Sequence, residues 1–129
     1  MSNRIWGFLG GMSSLLLAGA AGAHHSFAAE FDIEKPIEIQ GTLTGMEWVN
    51  PHGWLYIDVE NPDGSTTNWA VEAGGATQLL RRGLRKTDFP AGTEVIVQGY
   101  LARSGEPVVN GRSVTTPDGK NFFLGSESR

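Results

Sequence analysis

Hydrophobic and polar residues alternate along most of the chain beyond residue 36, and this two-residue period predicts half-buried β-strands. The first predicted strand covers residues 37–44, with Ile37, Ile39 and Leu43 facing inward. A glycine at position 41 is typical of a bulge or bend, and we expect the strand to continue through Trp48 with a bend at Gly45. A long, bent first strand allows a small sheet to curl closed.

The same alternation predicts five further strands, at residues 54–60, 66–72, 93–100, 112–116 and 121–124. It is interrupted at residues 76–82, where two leucines and a following glycine predict a short helix. We expect Leu79 and Leu80 to cover the open end of the barrel. The order of elements predicts an all-β protein with one short helix, folded as a small five- to six-stranded OB-like barrel.

The start of the chain has the pattern of a secretory signal peptide. Arg4 precedes an apolar, glycine- and alanine-rich run that ends in Ala-Gly-Ala at positions 21–23. We therefore expect a periplasmic or secreted protein with no stable membrane insertion after processing; an uncleaved membrane anchor is the alternative. The predicted organisation is a signal peptide at residues 1–23, an N-terminal arm at 24–36 and a barrel domain at 37–125.

Composition excludes several classes of function. The 129-residue chain has a formal net charge of −4, whereas a surface that binds phosphates needs basic residues, so we expect no nucleic-acid partner. The chain contains no cysteine, which excludes disulfides, thiolate metal sites and a cysteine nucleophile. No phosphate-binding loop, nucleotide fingerprint or metalloprotease motif occurs, and we predict no catalytic residue.

The three histidines form the most specific candidate site. Cleavage after residue 23 would make His24 the amino terminus, with His25 beside it, whereas cleavage one residue earlier would make His25 the third residue. A free amine and imidazole groups are nitrogen ligands that suit Cu(II), and more loosely Ni(II) or Zn(II). His52 completes this predicted metal site if the arm folds back over the barrel. The alternative is that all three are ordinary solvent-exposed histidines.

A second candidate surface surrounds the Asn-Pro turn between the first two strands. In an OB-like barrel, ligands bind to strands two and three and to the loops beside them. Here that face is predicted to carry Asn50 and the aromatic residues Trp54, Tyr56 and Trp69. Stacking against a sugar ring is the functional interpretation of these aromatic residues, and packing in the core is the structural one.

Six segments carry a resemblance to a known family, and His-His-Ser-Phe at residues 24–27 and Asn-Pro-His at 50–52 are its most specific parts. The segments lie at residues 24–32, 41–44, 47–52, 68–72, 79–83 and 112–114. They resemble an exported bacterial family catalogued as domain of unknown function 6152, and the likeness spans essentially the whole mature chain. The resemblance implies bacterial origin, export and a small β-barrel domain, but no activity. The family's recurring histidines fall at His24, His25 and His52.

We therefore expect an exported OB-like binding module of unknown ligand. Copper or another divalent metal, held by the three histidines, is the most specific ligand that the sequence suggests. One alternative is a copper-dependent redox enzyme that uses the amino-terminal histidine. Another is an interaction module that docks an envelope protein or polysaccharide through Trp54, Tyr56 and Trp69.

Overall fold

The computed structural model describes residues 27–125. The predicted signal peptide and two of the candidate ligands, His24 and His25, lie outside this range. Residues 27–30 are helical and are called the N-terminal turn below. No helix in the described range is long and apolar enough to cross a membrane. The regular elements that follow are β1 (Phe31–Glu47), β2 (His52–Glu60), β3 (Thr66–Gly74), α1 (Ala76–Arg81), a 3-10 helix (Lys86–Asp88), β4 (Glu94–Ala102), β5 (Val108–Thr115) and β6 (Asn121–Phe123).

The strands form one sheet in the order β3-β2-β1-β4-β5-β6, in which every neighbouring pair is antiparallel. A short parallel pairing of β3 with β5, with Val71 opposite Val109, closes the sheet into a barrel-like ring. The long β1 makes this closure possible, because Thr42 pairs with Asp58 of β2 and also with Glu94 of β4. The predicted all-β fold and its OB-like order of elements are confirmed.

Gly41 allows β1 and β2 to approach closely. A β-carbon at this position would overlap the carbonyl oxygen of Asp58 and lie 2.9 Å from its carbonyl carbon. The pairing of β1 with β2 is irregular between Leu43 and Gly45, where a bend was predicted, whereas Gly41 lies in a regular stretch of the pairing with β4. The bulge predicted at Gly41 is therefore absent, and the role of Gly41 is to make room for the neighbouring backbone.

Strand β1 begins at Phe31, earlier than the predicted start at residue 37. Phe31 is buried and pairs with Ala102 of β4, but regular pairing resumes only at Pro36. The residues between them are mostly exposed. In this irregular stretch the side chains are not buried at every second position, so the sequence shows no alternating pattern that would predict a strand.

The core fills the inside of the ring. Its fully buried side chains come from β1 to β5 and from the segments that close the ends: Leu43, Leu55, Ile57, Val71, Leu79, Leu84, Val95, Val97, Val109, Val114 and Leu124. Of the inward positions predicted in β1, Leu43 is fully buried and Ile39 is 5% exposed, whereas Ile37 is partly buried and packs against this core. In α1, Leu79 is fully buried whereas Leu80 is 47% exposed. Successive residues of a helix point about 100° apart, so this short helix buries one leucine, and the prediction was wrong for Leu80.

Candidate functional site

Five side chains form a row across the outside of the ring, which we call the outer row. They are, in the order of pairing across the strands, Tyr100 (β4), Asn110 (β5), Glu72 (β3), Trp54 (β2) and Glu47 (β1). Residues paired across neighbouring strands project from the same side of a sheet. Their immediate neighbours along β2, β3 and β5 are buried residues. The outer row therefore faces away from the core.

His52 lies beside the outer row. It begins β2 two residues before Trp54, so both side chains project from the same face. The Nδ1 atom of His52 lies 3.7 Å from Oε1 of Glu72. This nitrogen is buried and has no hydrogen-bond partner within residues 27–125, although the imidazole as a whole is 43% exposed. The histidine thus turns an unbonded nitrogen towards a carboxylate.

Glu72 is a carboxylate in a largely buried setting. Its side chain is 13% exposed, and the side-chain amide of Asn110 donates a hydrogen bond to Oε1 at 3.3 Å. Burial raises the pKa of Glu72 above its ordinary value of 4.5. The charge of His52 and the hydrogen bond from Asn110 act in the opposite direction, whereas the negative charge of Glu30 raises the pKa further. The ionised form of Glu72 is therefore destabilised in this structure, and a nearby cation would stabilise it.

The N-terminal turn is held against one end of the outer row. The ring of Phe27 meets the ring of Tyr100 edge-on, with 6.1 Å between their centroids. Arg103, in the β4–β5 loop, donates a hydrogen bond from Nε to the carbonyl oxygen of Ala28 at 2.8 Å. Its backbone N–H donates to the carbonyl oxygen of Glu30, also at 2.8 Å. The described part of the chain therefore starts close to Tyr100.

Two of the predicted ligand-face residues lie together on this surface. Trp54 and Tyr56 project from the outer face of β2, the same face as His52. The hydroxyl of Tyr56 donates a hydrogen bond to Glu47 at 3.1 Å. Burial, this hydrogen bond and the charge of Glu47 raise the pKa of Tyr56. Trp69, by contrast, shares the buried face of β3 with Val71 and packs against the core.

Asn50 joins the β1–β2 loop to α1. Its Oδ1 accepts a hydrogen bond from the backbone N–H of Thr77, and its Nδ2 donates to the hydroxyl of the same residue, both at 3.3 Å. Gly75 packs beneath it, so closely that a β-carbon at this position would lie 2.5 Å from Oδ1. The Asn50–Pro51 peptide bond is cis. These contacts make Asn50 an anchor of the loop that precedes His52.

Glu72 and Asn110 are the site residues that the sequence pattern did not single out. Glu72 lies at an outward position in the alternating pattern of β3, where a carboxylate is ordinary. Asn110 precedes the predicted start of its strand at residue 112, because β5 begins at Val108. Their contact depends on the parallel pairing that closes the ring, and nothing in the local period predicts that pairing. The one feature of the sequence that could have indicated Glu72 as a site residue is its position as a single acid in the otherwise uncharged run from Trp69 to Gly74.

The described residues do not form a complete metal site. Within residues 27–125, no three His, Asp or Glu side chains are grouped closely enough to hold a metal ion. His52 and Glu72 supply two ligand atoms of suitable chemistry, an imidazole nitrogen and a carboxylate oxygen. Any further ligands must come from elsewhere in the chain, from water or from a partner molecule.

The charge of Glu72 gives a prediction about stability in the absence of metal. Because its folded pKa lies above the ordinary value, the folded protein binds the proton more tightly than the unfolded chain does, and stability falls as the pH rises from about 4 through the folded pKa. We expect Glu72→Gln to raise the melting temperature at pH 7. The difference should disappear near pH 4, where both side chains are neutral. Thermal unfolding in the presence of a chelator measures this, and a Glu72→Gln protein that melts lower than the wild type at pH 7 would contradict it.

Comparisons with known proteins give one result. No curated protein and no solved structure matches the chain significantly. A family model, described as a family of unknown function (DUF6152), matches residues 13–111, which include β1 to β4 and the part of β5 that contains Asn110. This match confirms the predicted resemblance: the chain belongs to the DUF6152 family.

Proposed function

We propose that the protein is an exported binding module that holds a divalent metal ion, copper(II) in the first place, between His52 and Glu72. The observation that carries this proposal is the unbonded, buried Nδ1 of His52 facing the carboxylate of Glu72 at 3.7 Å. Two ligand atoms about 2.0–2.2 Å from a metal, at angles of 90–120°, are about 2.8–3.8 Å apart. The observed separation thus suits a shared ion, whereas it is too long for a direct hydrogen bond.

The electrostatics of the pair support a cation. Glu72 is largely buried and lies near the negative charge of Glu30, and both conditions disfavour its ionised form. A metal ion would compensate this charge. The amide of Asn110 bonds to the same carboxylate and would hold it in position, as hydrogen bonds to metal-binding carboxylates commonly do.

The remaining ligands in this proposal are His24, His25 and the terminal amine released by cleavage. His24 precedes Phe27 by three residues, and three residues of extended chain span at most about 11 Å. Phe27 packs on Tyr100, and Glu72 lies two strands from Tyr100, a distance of about 10 Å at the usual strand spacing. The covalent chain is thus long enough to bring the terminus to the pair. A nitrogen-rich set of this kind favours copper(II).

Calorimetric titration of the processed protein, beginning at His24, with copper(II) tests this function. We expect one binding site, with affinity reduced at least about tenfold in His52→Ala, in Glu72→Gln and in His24→Ala, because each change removes a ligand. Glu47→Gln is the matched control, since Glu47 is a carboxylate at the far end of the same outer row. Its affinity should equal that of the wild type.

The variants also separate a shared site from binding by the terminus alone. If His24→Ala abolished binding while His52→Ala and Glu72→Gln bound copper as the wild type does, the terminus would be the whole site and the proposal would be wrong. Absence of saturable binding to the processed wild-type protein would also contradict it.

A further inference from the structure

An open groove lies on the outside of the ring between β1 and β4. Its volume is about 410 Å³, within the range of about 300–1,000 Å³ that is usual for small-molecule sites. The residues that line it are Pro36, Ile37, Glu38, Gln98, Gly99, Tyr100 and Arg112. Neither His52 nor Glu72 lines this groove, so it is separate from the proposed metal site and shares only Tyr100 with the outer row.

Arg112 reaches the groove from a β-bulge. Pairing between β4 and β5 passes from Gln98 opposite Ser113 to Gly99 opposite Gly111, which leaves Arg112 as the extra residue. Bulges of this kind change the direction of a side chain and are frequent next to binding sites. Here the guanidinium group lies 5.8 Å from the centre of the Tyr100 ring and 5.9 Å from that of Phe123.

Arg112 has no acidic partner within the described range. The ion pairs found there involve Lys35, His52, Arg103 and Lys120. The polar contact of Arg112 is with the Tyr100 hydroxyl at 3.5 Å, the outer limit of a hydrogen bond. Aromatic rings therefore position the guanidinium group, but its planar set of N–H donors is available to an anion.

A second arginine lies against one of the rings that Arg112 contacts. Arg82 lies 4.6 Å from the centre of the Phe123 ring, so two guanidinium groups contact the same ring in a chain whose net charge is −4. The groove also contains one acid, Glu38, which accepts a hydrogen bond from Gln98 at 2.9 Å. Glu38 would repel an anion of high charge more strongly than a singly charged one.

We propose that this groove binds a small organic monocarboxylate with an apolar body. The carboxylate pairs with Arg112, whose planar guanidinium group can donate two parallel hydrogen bonds to it. The apolar body packs against Pro36 and the ring of Tyr100. Phe27 packs against the same ring and helps to hold Tyr100 in place. The single charge of the ligand is compatible with Glu38, whereas a phosphate group is disfavoured.

Titration of the isotope-labelled protein with phenylacetate, followed by NMR in the presence of a chelator, tests this site. We expect saturable shifts of the backbone amides of Ile37, Gly99 and Tyr100. Binding should weaken at least tenfold in Arg112→Gln and remain unchanged in Arg81→Gln, an exposed arginine of α1. The neutral analogue 2-phenylethanol should bind at least tenfold more weakly than phenylacetate.

Inorganic phosphate is the control for a purely electrostatic site. It should shift these amides weakly, and more strongly in Glu38→Gln than in the wild type. Three results would overturn the proposal: no saturable shifts with phenylacetate, equal binding by Arg112→Gln and the wild type, or equal binding of phosphate and phenylacetate. The spectrum of each variant without ligand shows whether it is folded, so loss of binding is distinguished from unfolding.

Discussion

Replacing Gly41 with alanine is expected to destabilise the protein by about 3 kcal/mol or more, at the upper end of the usual cost of overpacking. The added β-carbon would overlap the carbonyl oxygen of Asp58 and lie 3.0 Å from a methyl group of Ile57. The first obstacle is backbone, which cannot move aside by a change of rotamer. Relief requires β1 and β2 to separate next to Thr42, where β1 passes between its two partner strands.

Gly45→Ala is the matched control for this prediction. Gly45 belongs to the same strand, but a β-carbon there would have no atom within 4 Å. We expect a change within about 0.5 kcal/mol, as for most substitutions without a structural conflict. Urea unfolding followed by tryptophan fluorescence measures both variants. Equal stabilities of Gly41→Ala and Gly45→Ala would show that β1 and β2 are not packed as described.

The second large effect is expected at the helix that closes the ring. Leu79→Ala should cost about 2–5 kcal/mol, because it removes a fully buried side chain and leaves a cavity. The adjacent Leu80→Ala should cost less than about 1 kcal/mol, because Leu80 is 47% exposed and loses little apolar contact. Helix propensity favours alanine at both positions equally, so the difference between the two variants isolates burial. A larger effect at Leu80 would contradict the orientation of α1.

Alternation along the strands predicted the fold because each strand has one face in the core and one outside. Ile39, Leu43, Leu55 and Ile57 are buried as the pattern requires. The same reasoning separates two tryptophans of identical chemistry. Trp69 shares the face of Val71 and packs against the core, whereas Trp54 projects outward. The packing of Trp69 agrees with the interpretation of the aromatic residues as core residues. Its position two residues before Val71 on the same strand predicts this packing.

Contacts between distant segments were not available from the pattern. The pairing of Glu72 with Asn110 arises from closure of the ring, and closure depends on the length and bend of β1. Asn50 was predicted as a ligand-face residue from its place in a turn, yet its side chain bonds to Thr77, 27 residues later. Local period and turn chemistry carry no information about such partners.

Only part of the candidate site was predicted, because the contact between His52 and Glu72 joins two different strands. His52 stood out as a metal-binding residue type placed beside the predicted ligand face, and the structure places it two residues from Trp54 on that face. Its partner Glu72 was not distinguishable from other outward acids until burial and the 3.7 Å separation were known. The predicted ligands His24 and His25 lie outside the described residues, so their participation stays a prediction.

The most direct test of the central claim is the intact mass of the protein, purified from its exported pool and measured under native conditions. We predict the mass of a chain that begins at His24 plus one copper ion, and loss of that ion in both His52→Ala and Glu72→Gln. A processed wild-type protein that carries no metal after incubation with one equivalent of copper(II) would contradict the account. Retention of the ion by both variants would contradict it as well.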